Sequence, residues 1–108
     1  MIFKEIRRCK TKGALEVIPE AALDLDLAMV ETIMPHSRFT IVANAGVLLV
    51  VSRDDITETT IWEDGHMLVK TLDSREAYKS AVRVFEAATG ETEDAIYEDY
   101  SDIGRVNC

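Results

Sequence analysis

The sequence predicts an α+β fold in which one antiparallel sheet of about five strands carries two helices on a single face. Three observations lead there. Short β-branched and aliphatic runs are separated by turn signals, two segments have helical apolar spacing, and the elements follow one another as β-α-β-β-β-β-α.

Taken in order, "GALEVI" (13–18) is a short strand ended by Pro19. "DLDLAMVETIM" (24–34) places Leu25, Met29 and Ile33 four residues apart, with acids in its first turn that suit the helix dipole, and Pro35 stops it. "RFTIV" (38–42) and "GVLLVVS" (46–52) are strands joined through the turn signal "NAG". "TETTIW" (57–62) and "HMLVKT" (66–71) form a hairpin across Glu63-Asp64-Gly65, where Asp-Gly supplies the positive φ such a turn needs. The second helix opens at Asp73 or Ser74, a good N-cap, and runs to Ala88. It buries Tyr78, Ala81, Val82 and Phe85, and Gly90 is its stop.

At 108 residues with 47% apolar content, the chain suits one globular domain. Residues 1–90 are expected to fold as the α+β domain. Residues 91–108 are expected to form an acidic C-terminal tail, where Ile96, Tyr100 and Ile103 have the spacing of a short helix. No apolar run reaches the roughly 18 residues of a membrane span, and "MIFKEIRRCK" lacks the apolar stretch of a signal peptide. A cytoplasmic protein with no membrane association is the expectation. Cys9 and Cys108 stand near opposite ends without CxxC or Cys/His spacing, so free thiols are expected.

Net charge is −8, which opposes non-specific attraction to phosphate backbones. The charge is uneven. "EIRRCKTK" near the start is basic, whereas "ETEDAIYEDYSD" (91–102) holds six acids and no Lys or Arg, the pattern of a solvated tail.

From Leu25 to Phe85 the chain resembles one half-repeat of the TATA-box-binding protein family. "LDLAMVETIMPHSRF" is similar to that family's Leu-Asp-Leu helix, and Gly46 with "VLLVV" falls on its Pro-Gly-Leu-Val-Tyr-Arg strand. "TTIWEDGHMLVKTLDSREAYKSAVRVF" falls on its hairpin and the helix that follows. Residues 59–85 also look like the small C-terminal piece of ubiquitin-activating-like adenylyltransferases, without any glycine-rich adenylate-binding loop. The first resemblance implies a curved sheet whose concave face meets the DNA minor groove through phenylalanine wedges and Arg, Lys and Thr contacts. Here Trp62 takes one wedge position. Asn44 stands at the other, Val50 replaces the strand arginine, His66 the hairpin lysine, and Asp73 the lysine before the second helix.

Strand alternation assigns the faces. Val47, Leu49, Val51, Ile61, Met67 and Val69 should point at the helices, and Leu48, Val50, Thr60, Trp62, Leu68 and Lys70 should point to the concave side. An apolar patch of Leu48, Val50, Trp62 and Leu68 is seldom left in water. If each of the four withdrew ~80 Å², the gain would be about 8 kcal/mol at ~25 cal/mol/Å². A second copy is the first expected occupant, then the tail, then a foreign protein partner or ligand. The plainer alternative is that Trp62 packs on its cross-strand neighbours and charged stems hide part of the patch.

The expected function is therefore a non-catalytic binding or assembly module acting through the concave sheet face as a homodimer, with no cofactor or metal. One alternative is a small enzyme or redox protein using Cys9, whose basic neighbours Arg7, Arg8 and Lys10 would lower its pKa. A weaker alternative is nucleic-acid binding through the sheet. His36 and His66 lack a nucleophile at triad spacing. "DLD" (24–26) and "RDD" (53–55) lack a calcium-loop pattern.

Overall fold

In a computed structural model of the chain, residues 3–8, 13–90 and 103–106 are described. They form strands β1 (Phe3–Arg7) and β2 (Leu15–Pro19), helix α1 (Leu27–Ile33), strands β3 (Thr40–Asn44), β4 (Leu48–Ser52), β5 (Thr59–Trp62) and β6 (Met67–Val69), helix α2 (Ser74–Thr89) and strand β7 (Gly104–Val106). A 3-10 turn, Met34–Ser37, follows α1 directly. The sheet runs β3-β4-β5-β6-β2-β1-β7. Each neighbouring pair is antiparallel except β1 and β7, which are parallel.

The fold is α+β as expected, with a sheet of seven strands rather than about five, and mixed rather than wholly antiparallel. The two added strands are the outer ones on one side. β1 comes from the charged "FKEIR", where Phe3 and Ile6 are buried and a bulge between Phe3 and Glu5 adjusts the phase. β7 comes from the segment read as tail: Ile103 is buried in the core and Gly104–Val106 pair with Glu5–Arg7. Of the short helix expected in the tail, Ile96 and Tyr100 lie outside the described residues, as do Cys9 and Cys108, while Ile103 leads directly into β7.

Helix α1 is shorter than expected and buries a different stripe. Asp26, not Asp24, is the N-cap; its Oδ1 accepts from the Ala28 and Met29 N–H groups at 3.1 and 3.3 Å. That start leaves Leu25 ahead of the helix and turns Leu27, Val30 and Met34 inward, so Met29 is 60% exposed. Pro35 is the second residue of the 3-10 turn, which Arg38 caps in the left-handed region (φ 69°). Helix α2 follows expectation closely. Asp73 Oδ1 caps it by accepting from Arg75 and Glu76 N–H, Gly90 closes it with φ 81°, and Tyr78, Ala81, Val82 and Phe85 are all buried.

Both helices share one core with one face of the sheet. Leu27, Val30 and Met34 from the α1 region and the buried side of α2 form a continuous cluster with Val17, Leu49, Val51, Ile61, Met67 and Val69. Phe3 sits among them, edge-on to Tyr78 and Phe85 with centroids 6.0 and 5.7 Å away. The buried Ser80 hydroxyl accepts from the Thr57 N–H at 3.0 Å, which satisfies a polar pair beneath α2.

The β5–β6 hairpin closes over Glu63-Asp64-Gly65. Trp62 N–H donates to the His66 carbonyl and Gly65 N–H to the Trp62 carbonyl, with Gly65 at φ 91°. This tip is not free. Leu23 N–H donates to the Asp64 carbonyl at 2.8 Å and Leu25 N–H to the Glu63 carbonyl at 2.9 Å, so the segment before α1 is strapped across the turn.

Candidate binding face

Side chains directly opposite on paired strands share a face, so the registers define the helix-free side. One row crosses the whole sheet: Ala43, Val50, Thr60, Leu68, Glu16, Arg7 and Val106 are successive partners. A second pair, Leu48 opposite Trp62, lies on the same side. The intervening row Leu49, Ile61, Met67, Val17 and Ile6 is buried against the helices.

The structure thus brings Leu48, Val50, Thr60, Trp62 and Leu68 together on the face away from the helices, all half-buried. Lys70 is exposed just beyond β6, with Nζ 2.5 Å from Glu58 Oε2. Val47 departs from its expected inward position. β4 begins only at Leu48, and Val47 stands 59% exposed in the preceding turn. That turn is fixed by Asn44, whose Oδ1 accepts from Gly46 N–H at 2.8 Å while Nδ2 donates to Glu31 Oε2 at 2.7 Å.

The face is not uniformly apolar. Its β4–β5–β6 half carries Leu48, Val50, Trp62 and Leu68, and its β2–β1 half carries Glu16, Arg7 and Glu5. Arg7 forks onto Glu5 with Nε–Oε2 at 2.7 Å and Nη2–Oε1 at 3.0 Å. That guanidinium holds the Glu5 carboxyl below its ordinary range. Because Leu48, Val50 and Leu68 are half-buried, less than ~80 Å² of each of these three remains to be covered, and the gain falls below about 8 kcal/mol.

Trp62 is flanked by His66. The two rings stack with centroids 4.3 Å apart and planes 9° from parallel. His66 Nδ1 lies 2.5 Å from Asp64 Oδ1, which also accepts from the His66 backbone N–H at 3.1 Å. Partial burial pushes the Asp64 carboxyl up, but the backbone and ring of His66 outweigh it and hold that carboxyl below its usual range. Since the Asp64 carboxylate can only accept, Nδ1 is assigned as the donor of this pair.

At the β3 end, Arg53 clamps the turn after β4. Its guanidinium forks onto Asp55 at 2.5 and 3.0 Å, donates to the Ser37 carbonyl at 3.0 Å, and lies 4.4 Å over the Phe39 ring. The acids of "DLD" and "RDD" are thereby partly spoken for: Asp26 caps α1, and Asp55 is Arg53's partner. No three His, Asp or Glu side chains among the described residues cluster as a metal site. Among those residues no helix is long and apolar enough to cross a membrane.

The sequence reading missed Glu5, Arg7, Glu16 and Ile18 as part of this face. Their signal was present in the alternation of "LEVI", where Glu16 and Ile18 are out of phase with buried Leu15 and Val17. Nothing local, however, announces that β2 pairs with β6. Comparison with protein-family models, with curated proteins and with solved structures finds no match to the chain.

Proposed function

We propose that the chain is a non-catalytic assembly module that pairs with a second copy of itself through the helix-free face of its sheet. The observation that carries this reading is the side-by-side placement of Leu48, Val50, Trp62 and Leu68 across β4, β5 and β6, opposite the helices. Two sheets packed face to face at ~10 Å interdigitate such side chains. The division of the face favours a two-fold partner. An isologous stack sets apolar half on apolar half and leaves Glu5, Arg7 and Glu16 toward a polar rim.

Face pairing is favoured over edge pairing. Of the two edge strands, β7 is only three residues long, and β3 has its pairing with β4 broken by a bulge between Ile41 and Ala43. A bulged edge twists away from a second strand. Nucleic acid is the poorer occupant, because Arg7 is held by Glu5 and Lys70 by Glu58, and Glu16 adds a further carboxylate. The likeness to a half-repeat of the TATA-box-binding family belongs to the same proposal, since a half-repeat leaves one sheet face without its other half.

Sedimentation velocity on the native chain and on Trp62→Glu tests this. The native chain should dimerise in the tens of micromolar, and the variant should sediment as a folded monomer. A native chain that stays monomeric at several hundred micromolar would end the proposal.

A further inference from the structure

We propose that His66 makes the pairing of two copies pH-dependent, with pairing favoured while its imidazole is neutral and opposed once the ring takes up a proton. This rests on the homodimer reading and adds its regulation.

The position of the ring carries the inference. Trp62 N–H donates to the His66 carbonyl, so the two residues stand opposite across the hairpin and their side chains share the helix-free face. The imidazole lies flat on the indole at 4.3 Å and continues the row begun by Leu48 and Trp62. Its side chain is only 28% exposed before any partner arrives. A second copy set on this face removes the water that remains. The neighbours it joins there, Leu48, Val50, Thr60, Trp62 and Leu68, do not titrate. The other histidine, His36, is exposed in the 3-10 turn after α1.

The charged groups around the ring come from four sides. The hairpin turn brings Asp64, bonded to Nδ1, and the exposed Glu63. β2 brings Glu16 and, just past its end, Glu20. β1 brings Lys4 and Arg7, the latter held by Glu5. The strap before α1 carries the exposed Asp24 between Leu23 and Leu25. All of these face the ring in the single chain and in the pair alike. They set where it titrates, and they change the pairing equilibrium little. Asp64 and Glu5, both held below the ordinary carboxyl range, stay ionised throughout the interval in which imidazoles titrate.

What pairing adds is loss of water. In a two-fold stack of apolar half on apolar half, the second copy offers the ring no carboxylate. Stripping water from an imidazolium against such a surface costs more than stripping it from the neutral ring. The symmetry imposes that cost on both copies. A base that is harder to charge in the paired state strengthens pairing above the pH at which it titrates and weakens it below.

Sedimentation velocity at constant ionic strength, at about pH 7.5 and about pH 5.5, tests this across the imidazole range. The dimer Kd of the native chain should rise about tenfold or more on going to the lower pH. His36→Gln should keep that dependence, and His66→Gln should lose it. Should His66→Gln fail to fold, His66→Phe keeps a flat ring on Trp62 and should pair with the same Kd at both pH values. A native Kd that is unchanged or falls on acidification, or a dependence that survives in the His66 variants, overturns the proposal and leaves the homodimer reading standing. A native chain that is monomeric at both pH values overturns the homodimer reading and this inference with it.

Discussion

The Trp62 indole and the His66 imidazole lie face to face at 4.3 Å, one residue on β5 and the other just past the turn that leads to β6. Asp64 fixes the imidazole from behind through Nδ1. The ring therefore covers part of the indole that would otherwise stand open beside Leu48. Replacing His66 by Ala should leave the fold intact and shift the emission of the chain's single Trp to the red. An unshifted spectrum would mean the stack contributes no shielding.

The hairpin tip is held by close packing as well as by hydrogen bonds. A Cβ on Gly65 would stand 2.7 Å from Leu23 Cδ1, and Gly65 is at φ 91°. Gly46 shares the left-handed backbone (φ 85°) but faces open space. Gly65→Ala should therefore cost more than Gly46→Ala, about 2–3 against about 1 kcal/mol in chemical denaturation. Adding Leu23→Ala should recover part of the difference. Equal costs for the two glycines would show that Leu23 does not press on the turn.

Strand β1 is integral to the core, although its sequence reads as a charged end. Phe3 is fully buried between Tyr78 and Phe85. Phe3→Ala should destabilise by about 3–5 kcal/mol, measured by urea unfolding monitored by circular dichroism. A cost under about 1 kcal/mol would place β1 outside the cooperative unit.

What could be read from the sequence follows from where each signal is local. Helix α2 carries its cap, its stripe and its stop within Asp73–Gly90, and the hairpin carries its own turn glycine, so both were legible. Helix α1 was expected to open at Asp24 with a stripe of Leu25, Met29 and Ile33; the cap lies instead at Asp26, which rotates the stripe to Leu27 and Val30 and leaves Met29 exposed. Strands β1 and β7 depend on pairing with distant partners. "FKEIR" has two buried positions split by a bulge, and "GRV" has none. The apolar half of the candidate face was legible because β4, β5 and β6 are consecutive. The charged half was not, because Glu16 meets Leu68 only through the β2–β6 pairing.

Acid should loosen the Arg53 clamp. The guanidinium hydrogen-bonded to Asp55 lowers that carboxyl's pKa in the folded state. A depressed folded-state pKa stabilises above the unfolded value, near 3.9, and the contribution disappears as pH falls through the folded one. Asp55→Asn should thus be less stable than the native chain at pH 7, by under about 1 kcal/mol because the side chain is half exposed. The two should become equal near pH 2. A difference that persists undiminished in acid would assign the loss to packing rather than to charge.

The central claim is that the helix-free face is where two copies meet, and its single indole reports on this directly. Acrylamide quenching of Trp62 should be measured across protein concentrations from about 1 to 500 μM, a span that brackets micromolar association. Quenching should weaken as concentration rises, with the same midpoint as the sedimentation boundary. Quenching that is independent of concentration while the chain self-associates would place the interface elsewhere.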